Sequence, residues 1–328
     1  MNPTFRDRIF MIENQPDFHN AALQIFDYQY SNNAVYHDFA KHLKKGPDSI
    51  RTLTDLPFLP VEFFRNHRVI TGEKPVEKVF ESSGTTDALK GYHYICDLGL
   101  YNESFIGSFT LFYGKPEDYM IAALLPSYTE RENSSLVYMA DALIKKSLSP
   151  VSGFYRENDD NLLHNIQSWK VKGLKVLLLG VSFALLDLAE KKSPDLSGII
   201  VMETGGMKGR RKEITRQELH KVLTESLNVP VIHSEYGMTE LMSQAYSKGK
   251  GIFYCPPWMK IVLRDTQDPL TLFTEAGRTG GINIIDLANL YSCSFIATAD
   301  LGRLHEDGGF EVLGRFDNSD IRGCNLLS

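Results

Sequence analysis

Three short segments with almost no polar residue, each followed by a helical pattern, constrain the fold of this 328-residue chain more than any other feature. They are Tyr119-Met120-Ile121-Ala122-Ala123-Leu124-Leu125, Lys175-Val176-Leu177-Leu178-Leu179-Gly180 and Gly198-Ile199-Ile200-Val201-Met202. A strand without polar alternation must be buried on both faces, and the sheets that allow this are parallel ones covered by helices. Residues 134–146, 160–170, 182–192 and 213–227 supply the helical patterns; the first carries Leu136, Tyr138, Met139, Ala142 and Leu143 as its apolar residues. A further short strand is expected at 229–233. The expected fold class is therefore α/β, with largely parallel sheets flanked by helices. In such sheets ligands sit at the carboxyl ends of the strands. That singles out Glu203-Thr204-Gly205-Gly206-Met207-Lys208-Gly209 and Ser234-Glu235-Tyr236-Gly237-Met238-Thr239-Glu240.

The flanking regions read differently. Residues 4–45 keep a helical period through Phe10, Met11, Ala21, Ala22, Leu23, Phe26 and Tyr30, then Tyr36, Phe39, Ala40 and Leu43. Pro57 and Pro60 favour extended backbone leading into a short helix at 61–64. Residues 76–80 and 92–95 read as strands, and Asp97 is placed to cap a helix running to about residue 112. From residue 251 on, short strands alternate with turn-rich links such as Cys255-Pro256-Pro257, Asp268-Pro269 and Asp307-Gly308-Gly309, which reads as a mainly β subdomain. The expected organisation is a helical part at 1–75, an α/β core at 76–250, a β-rich subdomain at 251–313 and a short tail at 314–328.

A net charge of −6 with no basic tract argues against nucleic acid as the main partner. No apolar run is long enough for a transmembrane segment, and the first residues lack the apolar stretch of a signal peptide. Cys96, Cys255, Cys293 and Cys324 are not paired at metal-ligand spacing, and a chain of this size does not need disulfides. A reducing cytoplasm is the expected location. His220 and His233 are too far apart for a helical metal pair, so zinc is not expected.

The stretch Glu81-Ser82-Ser83-Gly84-Thr85-Thr86-Asp87-Ala88-Leu89-Lys90-Gly91 sets four hydroxyls around one glycine, with a lysine close behind. Such a turn can aim N–H groups, hydroxyls and an ammonium at a polyanion. It is not the Walker pattern, which occurs nowhere in the chain. The same residue types also make a polar hairpin turn, so the loop alone leaves both readings open.

Three more segments follow it in order: Tyr236-Gly237-Met238-Thr239-Glu240, Thr298-Ala299-Asp300-Leu301-Gly302-Arg303 and Gly314-Arg315-Phe316-Asp317. Together the four resemble the motifs of the adenylate-forming superfamily of acyl-CoA synthetases, peptide-synthetase adenylation domains and luciferases, over roughly residue 76 to the end. The ending Ile321-Arg322-Gly323-Cys324-Asn325-Leu326-Leu327-Ser328 is similar to that of its acyl-protein synthetase branch, the LuxE type. The resemblance implies the N-terminal-domain fold of these enzymes. It also implies activation of a fatty or other small carboxylic acid with ATP and Mg²⁺, and delivery of the acyl group to an acyl reductase or acyl carrier protein. Ser82, Ser83, Gly84, Thr85, Thr86 and Lys90 would hold the β- and γ-phosphates. Tyr236 would stack near adenine in the turn that Gly237 shares, and Gly205 and Gly206 would let adenine approach the backbone. Thr239 would touch the α-phosphate, Glu240 would hold Mg²⁺, and Asp300 would bond the ribose hydroxyls with Arg315 close by. Cys324 would accept the acyl group.

These residue types suit the chemistry. A hard cation prefers an oxygen ligand such as a carboxylate. A thiol with a pKa of about 8.5 needs a base or positive neighbour, and Arg322 is two residues from Cys324. There are departures: Asp87 stands where glycine is usual, Leu89 where proline is, and Ala299 where glycine is. Most superfamily members continue past the Gly-Arg-x-Asp motif for about a hundred residues, a small domain that carries a catalytic lysine. That domain is expected to be absent here, as in the acyl-protein synthetase branch, with Lys90, Lys208, Arg210 or a partner chain supplying the cation. A carboxylate–CoA ligase and a non-catalytic nucleotide- or acyl-binding subunit remain alternatives.

Overall fold

In chain order the elements are α1 (Phe5–Ile9), α2 (Gln15–Asn32), α3 (Ala34–His42), β1 (Leu59–Pro60), α4 (Phe63–Asn66), β2 (Lys78–Glu81), β3 (Tyr92–Ile95) and α5 (Leu98–Tyr113). There follow β4 (Tyr119–Leu124), α6 (Ser135–Lys146), β5 (Gly153–Phe154), α7 (Asp160–Val171), β6 (Lys175–Val181), α8 (Ser182–Lys192), β7 (Ile200–Thr204) and α9 (Arg216–Leu227). The last part is all strand: β8 (His233–Tyr236), β9 (Ala245–Ser247), β10 (Ile252–Phe253), β11 (Met259–Arg264), β12 (Leu272–Phe273), β13 (Thr279–Asp286), β14 (Phe295–Leu304) and β15 (Phe310–Arg315). These come from a computed structural model that describes residues 5–82, 90–125, 132–147, 151–156, 160–205 and 214–316.

The chain divides into two compact units. One comprises Met1–Phe63, Val69–Gly72 and Pro257–Ser328, the other Phe64–Arg68 and Glu73–Pro256. In the second unit the expected α/β architecture is present. Its sheet has the order β5-β4-β6-β7-β8-β9, parallel from β5 through β8 and closed by antiparallel β9. Every residue of β4 is buried, as is β6 from Val176 onward, as continuous apolar strands require. The helices start where side chains can take the first N–H groups. Asp97 accepts from the Leu100 amide at 2.8 Å, and Thr215 and Glu218 form a reciprocal capping box at the head of α9.

One strand is displaced from its expected position. Residues 229–232 lie outside the sheet and β8 begins at His233, opposite Met202. Pro230 has no N–H to give to a ladder, so pairing starts after it. In consequence Ser234, Glu235 and Tyr236 are buried strand residues rather than part of a following turn.

The first unit is built on an antiparallel sheet in which β12, β11, β13, β14 and β15 pair in that order, with β1 running parallel beside β14. The rings of Phe26, Tyr36 and Phe58 surround Phe295 of β14 at 6.3, 5.8 and 6.3 Å between centroids. Gln29 of α2, fully buried, donates to the carbonyls of Asn289 and Leu290 and accepts from the Ser294 amide. This satisfies a buried turn that would otherwise be costly.

Candidate functional site

The chain leaves β4 for β5 on one side, then returns to place β6, β7 and β8 on the other. The strand order therefore reverses between β4 and β6, and a crevice at such a switch point is where open α/β sheets take their ligands. Ser182 directly follows β6, Gly205 follows β7 and Gly237 follows β8, so three of these carboxyl ends carry residues of the candidate site.

The hairpin β2–β3 carries the hydroxyl-rich loop. Its root is closed by Ser82 and Gly91: the Ser82 amide donates to the Gly91 carbonyl at 2.9 Å, and the Gly91 amide donates to Ser82 Oγ at 2.7 Å. Lys90 Nζ lies 3.3 Å from Glu81 Oε2, while Glu81 Oε1 accepts from Asn133 Nδ2 at 2.9 Å. Ser83, Gly84, Thr85 and Thr86 lie outside the described residues.

Glu240 meets this root. Its side chain belongs to a residue only 6% exposed, and Oε1 lies 2.7 Å from the point a Cβ on Gly91 would occupy. Gly91 thus leaves room for the Glu240 carboxylate in its present position, and its backbone dihedral makes no demand for glycine. His93 of β3, fully buried, pins the adjoining turn by donating from Nδ1 to the Thr239 carbonyl at 2.8 Å. Two sequence segments about 150 residues apart are brought together in this way: Ser82, Lys90 and Gly91 on one, Thr239 and Glu240 on the other.

The neighbouring strand ends are tied by hydroxyl–oxygen contacts. Thr204 Oγ1 donates to Glu235 Oε2, and Glu235 Oε1 fills the space where a Cβ on Gly237 would stand. Ser182 Oγ donates to the Gly205 carbonyl, and Gly205 takes the left-handed conformation with φ 66°. Tyr236 is buried beside Phe253, ring centroids 5.8 Å apart. Gly206 lies outside the described residues.

In the first unit, Asp300 of β14 and Arg315 of β15 are direct register partners, with Arg315 Nε 3.3 Å from Asp300 Oδ1. The Asp300 side chain is largely buried and the Arg315 side chain is 82% exposed. Cys324 lies outside the described residues. Burial raises the Cys96 thiol and pushes that of Cys293 up to about 12, so both are protonated and inert near neutrality.

Among the described residues no group of three or more His, Cys, Asp or Glu is placed to hold a metal ion. A single carboxylate such as Glu240 still suits Mg²⁺, which keeps several waters and takes its other ligands from phosphates. Among the same residues no helix is long and apolar enough to cross a membrane. The motifs gave no sign of His93 or Ser182, since an isolated histidine in a strand and a serine at a helix start carry no spacing signal; Glu203 and Glu235 stood in the segments singled out at strand ends, but without a role.

No protein-family model matches the chain, and no curated protein does. Solved structures do. The chain is similar to a 2-hydroxyisobutyryl-CoA ligase in the postadenylation state in complex with 2-HIB-AMP, over 95% of this chain and 70% of that one, with a TM-score of 0.65 and 13% identity. It is also similar to ATP-bound MatB from Rhodopseudomonas palustris over 74% of this chain and 49% of that one, with a TM-score of 0.55 and 16% identity. The fold is that of the N-terminal domain of adenylate-forming ligases. At these identities the likeness concerns the fold alone, and the chain spans about half the length of the MatB chain.

Proposed function

We propose that this chain activates a carboxylic acid with ATP and Mg²⁺. The observation that carries the reading is the packing of the Glu240 carboxylate over Gly91, at the root of the hydroxyl-rich loop. It puts an oxygen ligand for a hard cation beside a loop suited to phosphates, on a fold shared with acid–CoA ligases.

In this reading Ser82, Ser83, Gly84, Thr85, Thr86 and Lys90 hold the triphosphate, with Lys90 exchanging its Glu81 partner for phosphate. Glu240 holds Mg²⁺, and Thr239 bonds the α-phosphate. Bound Mg²⁺ offsets the negative charge that repels an incoming carboxylate. The acid's carboxylate oxygen attacks the α-phosphorus and pyrophosphate leaves, giving the acyl-adenylate. Tyr236, Gly205 and Gly206 receive the base, and Asp300 with Arg315 the ribose. Positioning and fixed charge supply most of the rate. The Cys324 thiolate then attacks the acyl carbonyl, AMP leaves, and the thioester passes to an acyl reductase or carrier. A fatty acid is the proposed substrate.

ATP–pyrophosphate exchange across a panel of fatty and aromatic acids, with Mg²⁺, tests the first step. Exchange that depends on one class of acid is the expected result; no exchange with any acid while ATP still binds would sink the reading. Cys324→Ala tests the second step. Exchange should survive and labelled acyl-enzyme should vanish, whereas CoA-dependent turnover in that variant would replace Cys324 by CoA as acceptor.

A further inference from the structure

Beneath the Gly205 turn lies a buried charged cluster that the reaction above does not use. Glu203, on β7 two residues before Gly205, is 2% exposed. Its Oε1 lies 3.1 Å from Arg216 Nε and 3.6 Å from His220 Nε2, both on α9. Its Oε2 lies 3.2 Å from Ser182 Oγ, at the start of α8. Ser234 of β8 closes the ring, its Oγ 3.3 Å from His220 Nε2. Residues from α8, β7, β8 and α9 therefore converge on one carboxylate near the carboxyl end of β7.

A buried ion pair is seldom the most stable way to fill such a space, because apolar side chains of similar volume often do as well or better. Its worth lies in holding one geometry. Here the geometry held is that of Ser182, whose single hydroxyl proton is shared between two acceptors, Glu203 Oε2 and the Gly205 carbonyl. Arg216 in turn fixes the carboxylate, and its guanidinium lies 4.8 Å from the centre of the Phe253 ring. The chain of contacts runs Arg216–Glu203–Ser182–Gly205 and ends on a glycine with left-handed φ.

We infer that Arg216, Glu203 and Ser182 are positioning residues for the nucleotide base: they hold Gly205 and its carbonyl in place without touching the nucleotide. The inference rests on the assignment of the Gly205 turn to adenine under the proposed function. It distinguishes ATP from the acid, because the cluster is bonded to the turn that receives the base.

The test is pyrophosphate exchange and calorimetric ATP binding with Ser182→Ala, Ser182→Thr and Glu203→Gln. Ser182→Ala should raise the KM and Kd for ATP about tenfold, the effect of one lost buried hydrogen bond, and leave the KM for the acid and the kcat at saturating ATP in place. Ser182→Thr, which keeps the hydroxyl, should restore most of the loss, and Glu203→Gln should repeat the Ser182→Ala pattern. If kcat and both KM values shift together with the melting temperature, the cluster is only structural and the inference is overturned. Wild-type ATP affinity in Ser182→Ala overturns it as well and leaves the proposed function standing. Failure of the unaltered chain to bind ATP overturns both.

Discussion

Gly91→Ala probes the candidate site through a single methyl group. The added Cβ would stand 2.7 Å from Glu240 Oε1 and 3.4 Å from Ser82 Oγ. The second distance is ordinary contact; the first is about 0.7 Å short of it. Gly91 does not have positive φ, so the backbone accepts alanine and the whole perturbation falls on the carboxylate. Glu240 is buried and its neighbours are packed, so the carboxylate yields by turning or by pushing the loop root outward. Because the atom met is the far end of a flexible side chain, the stability cost should be small, about 1 kcal/mol or less. The functional cost should be larger. Mg²⁺ holds its ligands at about 2.0–2.1 Å in a strict octahedron, and a misplacement near 1 Å at a reacting centre costs up to about a hundredfold in rate. Exchange should therefore fall between about tenfold and a hundredfold, with the Mg²⁺ needed for half-maximal rate rising. The assay is a Mg²⁺ titration of acid-dependent pyrophosphate exchange beside a thermal melt, with Glu240→Gln as reference. Wild-type rate and Mg²⁺ dependence in Gly91→Ala, with the fold intact, would refute the placement of the cation at Glu240.

Four further outcomes are expected. His93→Leu removes the donor to the Thr239 carbonyl while keeping an apolar body; it should cost about 1–3 kcal/mol in chemical denaturation and slow exchange through the loosened Thr239–Glu240 turn, and unchanged kinetics would show that the turn holds without it. Burial alone would raise the Glu203 carboxyl, but its bonds to His220, Arg216 and Ser234 more than reverse this, leaving it below its ordinary value of 4.5. A lowered folded-state pKa stabilises fully above about pH 4.5 and loses that stability as pH falls through the folded value, so the gap between the unaltered chain and Glu203→Gln should close in acid-unfolding curves below that pH; a gap constant down to the unfolding midpoint would contradict the pairing. Arg315→Ala should change stability by less than about 1 kcal/mol, because the Arg315 side of the pair is exposed to solvent, while Asp300→Asn should raise the KM for ATP in the exchange assay.

The parts of the fold visible in the sequence were those set by local rules. Continuous apolar strands required burial on both faces, and β4, β6 and β7 lie in the interior of a parallel sheet. Asp97 caps the helix its position suggested, since a cap acts over three residues. The misplaced strand at 229–233 was also a local matter: the apolar residues there outweighed the missing donor of Pro230 in the pattern, while in the sheet the donor decides. Long-range satisfaction was not visible. Gln29 is an ordinary polar residue of a helix until the turn at 289–294, some 260 residues later, presents two carbonyls and an amide to it.

The same distinction governs the site. Motifs mark residues that are expected to touch a ligand, because those must recur in type and order. They are silent on residues that hold them, because holding is a matter of which strand ends the topology makes adjacent. Glu240 and Gly91 belonged to recognised motifs, yet their contact follows only from where the hairpin β2–β3 stands beside the end of β8. His93 and Ser182 belonged to none, and Glu203 only headed a segment singled out for its place at a strand end. His93 donates to the Thr239 carbonyl and Ser182 to the Gly205 carbonyl, both in segments the sequence singled out, while Glu203 contacts Ser182 from two residues before Gly205. A substitution at such a residue leaves every motif readable while shifting the backbone that presents it. The informative variants in this protein are therefore those that spare the motifs and cut their supports, since they separate the chemistry of the site from its placement.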